Sequence, residues 1–204
     1  MYNTGQSCCL VERIYVHAAV YDAFVAAFVK EVQGLRVGEP TDESTYIGPL
    51  TRAQQVKVLQ MQVADALAKG ATLLLGGHAI SDRPGGHWFE PTVLVNVNHD
   101  MAVMREESFG PIIGIQKVAD DAEGVRLMND TDYGLTAGVY TKDEARAKAL
   151  LAQVHAGSVY WNCCDRVSPR LPWSGVRHSG MGLTLSTEGI TAFTRPKAWH
   201  LRSV

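Results

Sequence analysis

The sequence predicts an α/β fold: a largely parallel sheet flanked by helices, with an extended strand at the C-terminus. Three observations carry this. Short apolar runs alternate with segments of helical periodicity, the pattern left by strands joined through crossover helices. The 204 residues are 46% hydrophobic and 20% charged, enough to fill one core. Residues 190–202 then switch to a period of two, with Trp199 and Leu201 on one side and His200 and Arg202 on the other.

Along the chain, residues 14–16 (Ile-Tyr-Val) read as a short strand. A helix over 18–33 follows, because Val20, Phe24, Phe28 and Val32 recur every four residues along one stripe. The turn-rich passage from Gly38 to Asp42 ends it. Thr51 and Gln54 form a capping box for a second helix that aligns Val56, Leu59, Val63 and Leu67, and Gly70 closes that helix. Residues 71–75 read as a buried strand, 78–87 as a surface loop, and 89–97, 111–118 and 136–140 as extended. Helical stretches lie near 120–129 and 143–154, the latter opened by a capping box of Thr141 and Glu144. Residues 157–161 form another apolar strand. The terminal strand either pairs with a second chain or forms an edge of its own sheet.

Several function classes are excluded by composition. A net charge of −2 gives nucleic acid or an anionic membrane nothing to bind. No apolar run is long enough to span a bilayer, and the N-terminus lacks the basic and apolar regions of a leader. The four cysteines stand as two adjacent pairs, Cys8-Cys9 and Cys163-Cys164, which suits neither disulfides nor a metal site and fits a reducing cytoplasm. No glycine-rich phosphate loop of the GxGxxG or GxxxxGK[ST] type occurs.

The candidate chemistry centres on Cys8. A lone cysteine is more often a buried structural residue than a reactive one. Its neighbours favour reactivity: Gly5 permits a tight turn, and Gln6 and Ser7 are polar residues unsuited to a core strand. A thiol on such a loop tip lies beside main-chain N–H donors, which favour the thiolate and can stabilise an oxyanion.

The run Asn3-Thr4-Gly5-Gln6-Ser7-Cys8-Cys9 resembles the cysteine motif of the aldehyde dehydrogenase superfamily, with Cys8 as nucleophile and Leu10 departing from the family's small residue. Glu107-Ser108-Phe109-Gly110-Pro111 resembles its E-x-F-G-P motif. Asn129 with Tyr133-Gly134-Leu135 is similar to its N-x-x-x-Y-G-L element. Asn162, the run Pro172-Trp173-Ser174-Gly175 and the run Ser179-Gly180-Met181-Gly182 resemble the family's C-terminal series. The resemblance covers essentially the whole chain.

It implies oxidation of an aldehyde to a carboxylic acid through a thiohemiacetal and a thioester on Cys8, with NAD or NADP as cofactor. Glu107 would hold the ribose beside the nicotinamide, Phe109 would pack near the ring, and Gln55 would add a weaker ribose contact. Asp165, Val167 and Trp173 would line the aldehyde funnel. The resemblance also implies a catalytic domain over 1–189 and an oligomerisation strand over 190–204, giving a homo-oligomer. In the family, the nucleotide-binding domain, the general base and an oxyanion-hole asparagine precede the cysteine. The chain starts two residues before Asn3, so cofactor binding is expected to be incomplete and the isolated chain inactive. A second reading makes it a truncated, catalytically silent interaction module.

Overall fold

A computed structural model describes residues 1–83, 85–164 and 166–203, so Asp165, one of the expected funnel residues, lies outside the described residues. The main sheet has four strands in the order β1-β6-β5-β2: β1 (Arg13–His17), β6 (Ile112–Val118), β5 (Thr92–Val95) and β2 (Thr72–Leu75). β1 and β5 both run parallel to β6, and β2 adds an antiparallel edge. A short hairpin of β3 (Ala79–Ile80) and β4 (Trp88–Phe89) lies apart, and β7 (Thr136–Val139) pairs in parallel with β8 (Ser158–Trp161). The expected α/β architecture with a mainly parallel sheet is therefore observed.

The central strands β5 and β6 are buried on both faces, which is why residues 112–115 are apolar or glycine without alternation. The edge strand β2, expected as a buried strand, leaves Thr72 and Leu74 exposed. Ile112 and Leu94 face α2 (Ala53–Ala68), packing with Leu59, Val63, Ala66, Met101 and Met104. Ile113, Ile115, Val93 and Val95 face the opposite way, toward α1 (Tyr21–Gln33) and its Val32. Each of these side chains contributes about 1.5–3 kcal/mol by leaving water. Gly114 interrupts the strand because a β-carbon there would fall 2.5 Å from the Met104 sulfur. That gap lets the Ala102–Met104 turn settle onto the sheet.

The helix expected over 18–33 begins only at Tyr21, after a single 3-10 turn (Ala18–Val20) that leaves Val20 exposed. In α2 the buried stripe runs through Leu59, Gln62, Val63 and Ala66, whereas Leu67 stays exposed. Gly70, at φ +96°, does terminate it.

Both expected capping boxes are replaced. At α2 the Thr51 N–H and hydroxyl donate to Gln6 Oε1 at 2.8 and 3.0 Å, so the hydroxyl serves the cysteine loop rather than the helix. Helix α4 (Glu144–Leu151) is capped by Asp143, which accepts from the Arg146 N–H at 3.0 Å, while Thr141 Oγ1 accepts from the Asp143 N–H. Helix α3 (Asp121–Asn129) carries a cap the sequence reading missed: Asp120 accepts from the Glu123 N–H, and Glu123 reaches back to the Ala119 N–H.

The extended C-terminal strand is not formed. Residues 186–191 are a short helix, α5 (Ser186–Thr191), and 194–203 join no ladder among the described residues. A strand needs partners for its main-chain groups. Without them Phe193, Trp199 and Leu201 remain 86, 70 and 81% exposed.

Candidate active site

The cysteine loop is folded by three successive left-handed residues, Asn3, Thr4 and Gly5, at φ 52, 58 and 76°. Such a bend is costly for side-chain-bearing residues, and the surrounding bonds hold it. Thr4 is buried, and its hydroxyl accepts from the Gly48 N–H at 2.8 Å. Asn3 Nδ2 donates to the Gln6 carbonyl at 2.8 Å. Gln6 is clamped by Thr51 on its oxygen and by the Pro49 carbonyl on its nitrogen, at 3.2 Å. A turn closed by Leu10 N–H to Ser7 O then places Cys8 at its exposed corner. Cys9 turns inward, buried, with its sulfur 3.3 Å from Ser7 Oγ. Among the described residues no hydrogen bond takes up the N–H of Cys8 or Cys9.

The segment 104–110 lies against this loop. Gly5 meets Gly110 backbone to backbone, with no room for a β-carbon between them. Phe109 is left-handed at φ 46°, a conformation costing a bulky residue about 1–2 kcal/mol. Its support comes from Glu12, whose carboxylate accepts from the Ser108 N–H at 3.0 and 3.1 Å and from the Phe109 N–H at 2.9 Å. Gln55 Nε2 donates to the Ser108 carbonyl from the other side. Arg13 Nη1 holds the Met104 carbonyl at 3.1 Å. Burial pushes the Glu12 carboxyl above the usual carboxylate range and nearby Glu107 adds to this, while the two N–H donors and Arg13 pull the other way.

Beyond it runs a polar chain. Tyr15 OH lies 2.7 Å from His99 Nε2, His99 Nδ1 lies 2.7 Å from Asp130, and Arg105 donates to Asp130 at 2.8 Å. Burial pushes the Tyr15 phenol up to about 12 and the His99 imidazole down, although Asp130 raises the latter. Hydrogen bonding from Arg105 lowers Asp130. Arg105 thereby anchors the start of the segment that carries Glu107.

The structure thus brings the Cys8 loop, Gln55, Glu107 and Phe109 into one region, with Glu107 exposed and Phe109 half-buried. An open carboxylate beside a half-covered aromatic ring suits a sugar diol next to a flat heterocycle, so these residues fit a nicotinamide riboside. Gln55, expected as a ribose contact, has its amide nitrogen engaged by the Ser108 main chain. Glu12 was missed by sequence reading. Its only signal was a carboxylate on the approach to an apolar strand.

Trp173 and Val167 are not brought together in this way. Trp173 is half-buried, bonded through both main-chain groups to Thr184, and lines a shallow cavity of about 290 Å3 with Leu135, Ser179 and Met181. Val167 is exposed and is not among the residues lining it. Hydrogen bonds of the cysteine loop reach none of residues 167–184 among the described residues. Asn162, left-handed at φ 51°, ties down a turn by bonding both the N–H and the carbonyl of Thr141. No group of three or more His, Cys, Asp or Glu among the described residues could hold a metal ion.

Comparison with known proteins identifies the family and the fold. The model of the Aldehyde dehydrogenase family matches residues 1–199. Succinate-semialdehyde dehydrogenase [NADP(+)] 1 of Mycobacterium tuberculosis is 41% identical over 196 residues, covering 96% of this chain and 42% of that protein. The solved succinate-semialdehyde dehydrogenase of Burkholderia pseudomallei superposes with a TM-score of 0.90 at 39% identity, covering 94% of this chain and 39% of that one. Betaine aldehyde dehydrogenase of Staphylococcus aureus, solved in complex with NAD+, gives 0.89 at 30% identity, covering 93% and 38%. The chain therefore spans about two-fifths of the length of the relatives it matches. It belongs to the aldehyde dehydrogenase family.

Proposed function

We propose that this chain carries the thiol centre of an NAD(P)-dependent aldehyde dehydrogenase that oxidises an aldehyde to a carboxylic acid. The observation that carries the reading is the exposed Cys8 turn locked against the segment bearing Glu107 and Phe109 through the Gly5–Gly110 contact. The Cys8 thiolate adds to the aldehyde carbon and forms a thiohemiacetal, whose oxygen gains negative charge. The N–H groups of Cys8 and Cys9, without a hydrogen-bond acceptor among the described residues, would be candidate donors to that oxygen. Loss of hydride from the carbon leaves a thioester on Cys8, and water then releases the acid. Glu107 and Phe109 would hold the nicotinamide end of the cofactor, which supplies the hydride acceptor when bound. The S. aureus relative binds NAD+ and the mycobacterial relative is named for NADP+, which supports a nicotinamide cofactor of either kind.

The aldehyde would enter past Val167 and Trp173, the funnel side implied by the resemblance. The exposed tail, with Phe193, Trp199 and Leu201 uncovered, favours a further role as the contact of a homo-oligomer. The exposed Cys8 thiol that this chemistry uses suits a reducing compartment such as the cytoplasm.

Alkylation of Cys8 tests this reading. An aldehyde should protect Cys8 saturably from iodoacetamide in the chain, and Cys8→Ser should abolish labelling there. The natural polypeptide carrying this chain should form NAD(P)H from aldehyde and lose that activity with Cys8→Ser. Unprotected labelling together with unchanged activity in Cys8→Ser would sink the proposal.

A further inference from the structure

We propose that Glu12 is a positioning residue whose carboxylate, by gripping the main-chain N–H groups of Ser108 and Phe109, sets where Glu107 and Phe109 stand relative to Cys8. The inference rests on the aldehyde chemistry proposed above, since it concerns how that site is held.

Three observations carry it. Glu12 lies four residues after Cys8, on the segment that leads directly from the cysteine turn into β1, so its position is tied to the thiol by a short length of chain. Its carboxylate accepts from two consecutive main-chain N–H groups at 2.9–3.1 Å, with both oxygens engaged. Those groups flank the left-handed turn at Phe109, a conformation that a phenylalanine holds only under constraint. Gln55 grips the carbonyl of Ser108 from α2, so the turn is fixed from two sides. Glu107 is the residue just before the gripped pair, and Phe109 belongs to it. A loss of the grip moves both.

The grip also depends on ionisation, because a carboxylate accepts at both oxygens whereas a carboxylic acid uses one site to donate. The charged groups facing Glu12 are Arg13 on β1 and Glu107 on the turn, of opposite sign. Protonation of Glu12 in the folded chain therefore loosens the turn.

The test uses the 204-residue chain, wild type and Glu12→Gln. Amide-proton shifts of Ser108 and Phe109 are followed by NMR against pH, and iodoacetamide labelling of Cys8 is timed over the same range. The two amide shifts should move together through one transition, at higher pH than the ordinary glutamate range, and Glu12→Gln should lack it. In the variant, amides 108 and 109 should exchange at least about tenfold faster. The ratio of wild-type to variant labelling rates should change by about threefold or more across the transition. Amide shifts that titrate in the ordinary glutamate range overturn the proposal. So does a labelling ratio flat with pH, which would leave Glu12 a brace with no hold on the thiol. If Glu12→Gln does not fold, the wild-type amide and labelling profiles, which must share the transition, decide alone. Failure here leaves aldehyde protection of Cys8 intact, so the two proposals fall separately.

Discussion

Gly5 and Gly110 meet so closely that a β-carbon on Gly5 would lie 2.0 Å from the Gly110 carbonyl oxygen. Two segments distant in sequence are thereby joined at main-chain contact, where no side chain can adjust. Gly5 also holds φ +76°. Gly5→Ala should therefore destabilise the chain by about 2–5 kcal/mol, combining backbone strain with overpacking. Urea unfolding measures this, and a loss below about 1 kcal/mol would mean that the two loops do not touch as described.

Cys8 and Cys9 are adjacent on one turn and differ in access. Cys8 is exposed, whereas Cys9 is buried against Ser7. Iodoacetamide should label Cys8 at least about tenfold faster in the folded chain, and the two should converge in denaturant. Peptide mapping after brief labelling reads the ratio, and equal labelling in the native state would contradict the turn geometry.

His99 supplies a pH dependence with a definite sign. Burial lowers its folded pKa below the ordinary histidine value, so the folded chain binds this proton less readily than the unfolded chain. Its contribution to stability is present above the ordinary value and is lost as pH falls through the lowered one. Asp130 opposes the shift, so Asp130→Asn should move the imidazole titration further down. The ring proton of His99 observed by NMR reports both, and an upward move in the variant would refute the arrangement.

The cap of α3 offers a check on local structure. Asp120→Ala removes the acceptor for the Glu123 N–H and should cost about 1 kcal/mol. Thermal unfolding of the variant would show it, and no change would imply that Glu123 alone sustains the helix start.

Much of the fold was legible because its signals are local. The extended segment 111–118 was read from its local composition and holds β6, and Gly70 was read from its place after a periodic stripe. The capping boxes misled for a long-range reason: Thr51 belongs to Gln6, a partner that only the fold brings near. Glu12 was invisible for the same reason, since its donors lie near residue 108. Cys8, Glu107 and Phe109 were found through motifs, and the fold gathers their segments. Trp173 was singled out by motif too, yet its cavity is built by residues 135, 174–175 and 179–184, away from the cysteine loop's own bonds. The tail shows a two-residue alternation with no neighbour among the described residues to complete it as a strand.

The thiol's supports come from residues 3–13, 47–55 and 104–110, all on the four-stranded unit. The cavity at Trp173 belongs to the β7–β8 unit, moored to the first by Asn129 and by Arg177, which donates to the Asn129 and Thr131 carbonyls. Selection can consequently act on the two units at different paces. On the proposed function, drift around the cavity rim would alter which aldehydes are admitted while the Cys8 turn keeps its inherited setting, so new specificities need not await a new way of presenting the thiol.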